Sequence, residues 1–326
     1  MLKIGHTDIQ GYPVLLAPME DITDPSFRYL CKKYGADLVY TEFISSDGLI
    51  RNGKKSIQKL DILNTERPIG IQLYGHILES MVEAARMAEE ANPEFIDINF
   101  GCPVRKIANR GAGAGMLNNI PLMVKITESV VQATRLPVTV KTRLGWDENS
   151  KNIVDIAECL QDVGISAITI HGRTRSQMYT GVADWALIGE VKKNPRMKIP
   201  VIGNGDIDGP DKARQMFNRY GVDAIMIGRA TVGRPWIFKE IKTFLEEGHY
   251  MEALSLTDKV ELARHHLEKS IEFKGGRRGI FEMRRHFVHY FKGLDNFREI
   301  RIKLLTAEDP EEINDILNLI EKRYAG

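Results

Sequence analysis

Cys102 stands in NFGCPVRKIANRGAGAGML (99–117), a stretch rich in glycine and arginine. A loop thiol can do two kinds of chemistry. It can act as a nucleophile, given a base such as His171. It can also act as a general acid, because a thiol keeps its proton below a pKa of ~8.5. Spacing alone does not choose between them. Lys141 and Arg143 stand close together in VKTRLGWD (140–147), and His171, Arg173 and Arg175 alternate in IHGRTR (170–175). A lysine pointing inward is costly unless an anion meets it. Asn204-Gly205-Asp206 and Gly228-Arg229 combine glycines, which let backbone N–H groups approach an anion, with arginine charge.

These residues close a series of short apolar runs. The runs are PVLLA (13–17), DLVYTE (37–42), IGIQL (69–73), FIDIN (95–99), PVTVK (137–141), AITIH (167–171), PVIGN (200–204) and DAIMIG (223–228). They lack strict alternation, as strands buried on both faces do. Helical periodicity fills the gaps at 77–91, 120–134, 152–164 and 209–221, with Pro121 suited to a first turn and Gly164 to a helix end. Strand and helix alternate about eight times, which predicts an α/β fold: a (β/α)₈ TIM barrel over residues 1–245. An open doubly wound sheet is the rival, and the strand count favours the barrel. Residues 246–326 contain no β-rich run and read as a small all-helical domain, with helices over 257–273, 280–293 and 309–323 and capping signals at Thr257 and Asp309-Pro310.

Chemistry in a barrel sits at the C-terminal ends of its strands. Pro18 and Met19 follow the first strand, Gln72 closes the third, Asn99 the fourth, Lys141 the fifth, His171 the sixth, Asn204 the seventh and Gly228 the eighth. So many polar ends would converge on one mouth. The loops after strands seven and eight commonly hold a phosphate, which fits Gly205, Gly228 and Arg229.

The 326 residues, 43% hydrophobic and 27% charged, are those of a globular protein. No apolar run reaches the ~20 residues of a membrane span, and the N-terminus lacks a signal-peptide pattern. Three scattered cysteines, Cys31, Cys102 and Cys159, make neither a disulfide framework nor a zinc site, and Cys31 and Cys159 read as buried on helices whereas Cys102 reads as exposed. The expectation is a cytoplasmic protein with no metal, no membrane and no obligate protein partner. The net charge of +1 neither supports nor excludes a nucleic-acid partner. Its distribution is informative. Segment 274–303 holds Lys274, Arg277, Arg278, Arg284, Arg285, Lys292, Arg298, Arg301 and Lys303 against Glu282, Asp295 and Glu299. Such a local excess is the electrostatic footprint expected for a phosphate backbone. The interleaved aromatics, Phe281, Phe287, Tyr290, Phe291 and Phe297, read as core.

The segments APMEDITDPSFR (17–28), the cysteine loop, VKTRLGWD, IHGRTRSQMYTGVADW (170–185), IGNGDI (202–207) and MIGRATVGRPWIF (226–238) resemble the tRNA-dihydrouridine synthases, in particular the bacterial B-type branch. The likeness is colinear and continues into EMRRHFVHYFKGL (282–294). It implies FMN across the mouth, touched by the backbone of Pro18, Met19 and Glu20, with Gln72, Lys141 and His171 near it and Asn204, Gly205, Asp206, Gly228 and Arg229 at its phosphate. It implies NADPH (or NADH) as reductant, hydride delivery to C6 of a uracil and a proton from Cys102 to C5. The substrate would be tRNA, reduced in the D-loop and contacted by Asn99, Arg143, Arg173, Arg175, Arg284, Arg285 and Lys292. The alternatives are an FMN barrel reducing or oxidising a free pyrimidine and a non-catalytic tRNA-binding protein.

Overall fold

The computed structural model describes residues 1–325. Eight parallel strands run round a barrel: β1 (Val14–Leu16), β2 (Val39–Tyr40), β3 (Ile69–Tyr74), β4 (Phe95–Asn99), β5 (Val138–Arg143), β6 (Ala167–His171), β7 (Val201–Asn204) and β8 (Ala224–Ile227). β1 pairs with β8, and a bridge between Leu15 and Leu38 closes the ring on the β2 side. Every residue of β4 and β6 is buried: Ile96, Ile98, Ile168 and Ile170 join the main hydrophobic core, and the alternate positions Asp97, Asn99, Thr169 and His171 share the other face.

Helices α1 (Pro25–Lys33), α2 (Leu78–Glu90), α3 (Ile120–Ala133), α4 (Ile153–Asp162), α5 (Ala186–Lys193), α6 (Pro210–Tyr220) and α7 (Ile237–Lys242) pack outside. Their starts are written in the sequence. Asp24 caps α1 by accepting from the Phe27 N–H, and Asn119 caps α3 by accepting from the Leu122 N–H, each followed by a proline in the first turn.

Register is what builds the site. Parallel pairing sets Gln72 beside Asp97 and Asp97 beside Thr139. Two residues further on, Asn99 lies beside Lys141. Arg143 then lies beside His171, and His171 beside Asn204. Side chains alternate along a strand, so residues two apart share a face. The barrel therefore carries a buried polar layer, Gln72–Asp97–Thr139, directly beneath the polar mouth.

The tail forms α8 (Leu256–Lys274), α9 (Gly276–Tyr290), α10 (Arg298–Thr306) and α11 (Pro310–Tyr324) around a second core that includes Val260, Leu267, Phe287 and Leu317 and takes in Leu30 and Trp236 from the barrel side. Charge pairs pin the tail to the loop after β1. Lys274 lies 3.0 Å from Asp24 and also pairs with Glu282, while Arg285 donates to the Asp21 carbonyl at 2.7 Å and its carboxylate at 3.1 Å.

Several expectations are corrected. A hairpin of Leu2–Ile4 and Thr7–Ile9 precedes the barrel. After β2, the short strand Ile44–Ser45 pairs with β3 and leads into two short helices, Ser46–Ile50 and Lys54–Gln58. The tail has four helices rather than three, and the cap of α8 is Ser255, not Thr257, because the Ser255 hydroxyl accepts from the Asp258 N–H. Cys159 is exposed, since it falls on the solvent side of α4, whereas Cys102 is buried. Among the described residues, no helix is long and apolar enough to cross a membrane.

The seam between the cores holds two buried histidines. The Phe27 ring centroid lies 5.6 Å from that of His266 and 4.6 Å from that of His286, and His266 Nδ1 meets the Tyr290 hydroxyl at 3.1 Å. Burial pushes His266 down to about 4, against the pull of Asp24. The unfolded chain therefore takes up this proton first, at about 6.5. Stability is lost as pH falls from about 6.5 to 4, by up to about 3 kcal/mol for this group. Denaturant titrations of wild type and His266→Gln across that window should show a shallower fall in the variant. Equal slopes would remove His266 from the acid response.

Candidate functional site

A cleft of about 810 Å³ opens at the C-terminal ends of the strands, a size suited to a small organic ligand. Pro18, Met19 and Glu20 line it after β1, Asn99 and Cys102 after β4, and Lys141 and Arg143 on β5. His171 on β6, Asn204, Gly205 and Asp206 after β7, and Gly228 and Arg229 after β8 complete the wall, and Lys292 and His289 enter from the tail.

The Cys102 loop is folded tightly. Asn99 Oδ1 accepts from the backbone N–H groups of both Gly101 and Cys102 at 2.9 Å. The Cys102 carbonyl accepts from the Ala114 N–H at 3.0 Å, so the glycine-rich run folds back beneath the thiol. Gly113 has φ +54° there, and a Cβ on it would sit 3.0 Å from the Cys102 carbonyl oxygen. Cys102 is only 8% exposed, because the run that folds back on it covers a loop position. Burial pushes its pKa up, opposed by a backbone hydrogen bond at Val104 and by Arg143 and Lys141.

Positive charge gathers opposite. Lys141 Nζ donates to Asn204 Oδ1 at 3.1 Å. Burial and the neighbouring Arg143 push Lys141 down to about 8, against the attraction of Asp97. His171 is held well below its usual value by burial, then by Arg143, Lys141, Arg173 and Arg229, so it is neutral at pH 7. Near β7 and β8, Gly205 has φ +128° and a Cβ on it would lie 2.7 Å from the Ala183 Cβ. Among the described residues, no protein acceptor bonds the backbone N–H of Gly205, Asp206 or Gly228. Arg229 stands beside them, paired to Asp206 at 3.0 Å. Free N–H groups with an arginine at a glycine turn are equipped for an anion.

Other candidates lie off the cleft. Gln72 is wholly buried one layer down. Arg173 holds Asp206 through two bonds of 2.8 and 2.7 Å and the carbonyls of Thr180 and Gly181 at 3.1 and 2.7 Å, so its donors are taken by the protein. Arg175 stacks on Trp146, 4.4 Å from the ring centroid. Arg284 reaches the carbonyls of Thr306 and Ala307, and Arg285 is tied to Asp21. Glu20, though it lines the cleft, is tied to Lys59, both oxygens accepting, at 2.6 and 2.7 Å.

Residues 15–324 match the family described as dihydrouridine synthase. The chain belongs to that family. A probable tRNA-dihydrouridine synthase of Rickettsia prowazekii is 37% identical, covering 97% of this chain and 96% of its own. The tRNA-dihydrouridine synthase B of Xanthomonas axonopodis pv. citri is 41% identical over 95% of this chain and 92% of its own. In fold, an old yellow enzyme homologue from Zymomonas mobilis superposes with a TM-score of 0.52 at 15% identity, over 78% of this chain and 93% of that one.

Sequence reasoning missed residues at and around the mouth. Tyr179 is half exposed on the loop after β6, with the guanidinium carbons of Arg143 and Arg229 5.7 and 5.4 Å from its ring centroid. Only its position in the motif SQMYTG after the sixth strand could have marked it. Asp97 was hidden inside an apolar run. Arg105, Lys106 and Arg110, exposed just past Cys102, were passed over in favour of the tail.

A raised thiol pKa has a direct consequence. At neutral pH the Cys102 thiolate is scarce, and the fraction grows only above the ordinary thiol range. Iodoacetamide should label exposed Cys159 faster than Cys102 at pH 7, as read by peptide mass spectrometry. Faster labelling of Cys102 would show an activated thiolate instead.

Proposed function

We propose that this protein is an FMN-dependent tRNA-dihydrouridine synthase, working in the cytoplasm and reducing the C5=C6 bond of a uracil in tRNA at the expense of NADPH or NADH, with the D-loop as the target region. The observation that carries the chemistry is a buried thiol, a setting that favours its protonated form, at the mouth of a cationic cleft. Family membership carries the substrate class.

The residues present fit the cofactor. The N–H groups of Gly205, Asp206 and Gly228 with Arg229 would take its phosphate, and the Gly205 turn leaves no room for a side chain. Lys141, half-buried without a salt-bridge partner among the described residues, would meet the electron-rich edge of the ring. Pro18 and Met19 offer a wall. When bound and reduced, FMN supplies the hydride for C6 of the uracil.

The chain's own residues do the rest. Asn99 and Cys102 lie together on one rim. Cys102 gives its proton to C5, where negative charge builds as C6 is reduced. Arg143 spends Nε on the Gly101 carbonyl at 2.7 Å and Nη1 on the carbonyls of Thr174 and Met178, which fixes the walls around the base and leaves Nη2 for a pyrimidine carbonyl. Neutral His171 can offer a ring hydrogen bond without adding charge. The target base must leave its stack to reach this depth, costing a few kcal/mol that contacts elsewhere on the RNA offset.

Those contacts come from both rims. Lys292 on the tail side lines the cleft, and Arg298, Arg301 and Lys303 lie beyond it without a carboxylate partner among the described residues. On the barrel side, the short helix Arg105–Ala108 presents Arg105 and Lys106, with Arg110 following, again exposed. Arg173, Arg175, Arg284 and Arg285 serve by shaping loops and fixing the tail.

Two measurements test this. Unmodified tRNA incubated with the flavin-loaded protein and NADPH should gain two hydrogens on a uridine, read by nucleoside mass spectrometry. Cys102→Ala should lower that rate about 100- to 10,000-fold and leave tRNA binding intact. No gain on tRNA, with reduction of free uracil or its relatives, would move the assignment to a small-pyrimidine enzyme. Separately, replacing Arg105, Lys106 and Arg110 by alanine should weaken tRNA binding and flatten its salt dependence by roughly one unit of log–log slope per lost phosphate contact. An unchanged slope would take the RNA off the barrel rim.

A further inference from the structure

Asp97 is the acidic side chain of the buried layer under the mouth, 0% exposed and not among the residues that line the cleft. Barrel interiors are normally filled by branched apolar residues, and a buried carboxylate costs several kcal/mol unless its lone pairs are met. Here they are met. Asp97 Oδ1 accepts from the Thr139 hydroxyl at 2.5 Å and Oδ2 from Gln72 Nε2 at 2.6 Å. The bonds then continue in one direction. Gln72 Oε1 accepts from Asn99 Nδ2 at 2.8 Å, and Asn99 Oδ1 accepts from the N–H groups of Gly101 and Cys102.

We propose that Asp97 is a positioning residue: it sets the hydrogen-bond direction of the relay Asp97–Gln72–Asn99 and thereby fixes the loop that carries Cys102. This inference rests on the reading of Cys102 as the proton donor. Primary amides are nearly symmetric in shape and can face either way, donor or acceptor. Two of them in series hold one orientation only if both ends of the chain agree. The lower end is a carboxylate, which accepts only. The upper end is a pair of backbone N–H groups, which donate only. With an ionised Asp97, Gln72 turns its NH₂ down and its oxygen up, Asn99 follows, and its oxygen is directed at the cysteine turn. Burial pushes Asp97 up to about 6, while the bonds from Thr139 and Gln72 and the charge of Lys141 hold it down. It is therefore mostly ionised at neutral pH.

A merely structural Asp97 and a direction-setting one differ in what replaces it. Asp97→Asn can still accept from Gln72 through Oδ1 while its NH₂ donates to the Thr139 hydroxyl, so the direction survives. Asp97→Leu fills the space and removes the acceptor, leaving the Gln72 NH₂ unmet. The full-length, flavin-loaded protein is labelled with iodoacetamide, and the Cys102 rate is read against exposed Cys159 in the same sample. Wild type and Asp97→Asn should give similar ratios and similar turnover on tRNA. Asp97→Leu should shift the Cys102 ratio about tenfold, the worth of one buried hydrogen bond, and lower turnover while the KM for tRNA stays put. If Asp97→Leu does not fold, Gln72→Leu breaks the relay at its middle link and is read in the same way. Wild-type labelling in these relay variants overturns the proposal, as does equal loss in Asp97→Asn and Asp97→Leu. Labelling reports the loop whether or not tRNA is reduced. A Cys102→Ala protein that keeps full activity therefore sinks the proton-donor role without touching the labelling result.

Discussion

The mouth of this barrel is short of negative charge. Lys141, Arg143, Arg229, Arg234 and Lys292 line it, and of the acids there Glu20 is bound to Lys59 and Asp206 to Arg173 and Arg229, leaving Asp208 at the rim and Asp97 in the layer below. Burial disfavours the charged forms of these groups, and like charges in a poorly solvated space add repulsion to it. Lys141 falls to about 8, Arg143 falls to about 10, chiefly through burial, and His171 is neutral. Asp206 answers Arg173 and Arg229, and Asn204 offers Lys141 only a neutral oxygen. A site arranged like this would favour an anionic occupant. Much of the surrounding structure can be read as what it takes to hold these cations in place until one arrives.

The arginines do that holding themselves. Arg143 bonds three carbonyls, from the loops after β4 and β6, and Arg173 bonds two carbonyls and a carboxylate across the loops after β6 and β7. A guanidinium presents several donors in a fixed fork, so one side chain can join segments that no backbone ladder connects. The barrel strands fix where each loop starts, through the pairings Asn99–Lys141, Arg143–His171 and His171–Asn204. The arginine bonds fix where the loops go. Beyond them, Arg285 and Lys274 tie the helical tail to the loop after β1, which carries Lys292 to the cleft edge.

The barrel was legible because its signal is dense. β4 and β6 match the runs FIDIN and AITIH residue for residue, because even their polar residues, Asp97, Asn99, Thr169 and His171, are buried. The hairpin of Leu2–Ile4 and Thr7–Ile9 was not, because three-residue strands carry no periodicity. α10 was hidden in a charged run, REIRIKLLT, where few residues face the core. Cys159 and Cys102 were misjudged in opposite senses because exposure depends on what packs over a position: α4 turns one outward, and the glycine-rich run folds over the other. Much of the candidate cleft was legible as polar residues at strand ends. The division of labour among arginines was not. A sequence shows that a cation is present, but not whether its donors are already spent, and Arg173 and Arg229 look alike until their partners are known.

The same field bears on what Cys102 can do. Burial favours the protonated thiol, and neutral His171, surrounded by cations, is a poor base for removing that proton. Nucleophilic attack would need the opposite arrangement, a thiolate ready at rest. Proton donation needs an acid that is charged only after it reacts. In the proposed reaction, the thiolate left after transfer to C5 would lie within the fields of Arg143 and Lys141, both of which lower its energy. Burial would keep the proton in place at rest, and the cations would ease its departure. A loop held by Asn99 bonds, with little freedom to turn the sulfur toward water, keeps both influences acting on one geometry.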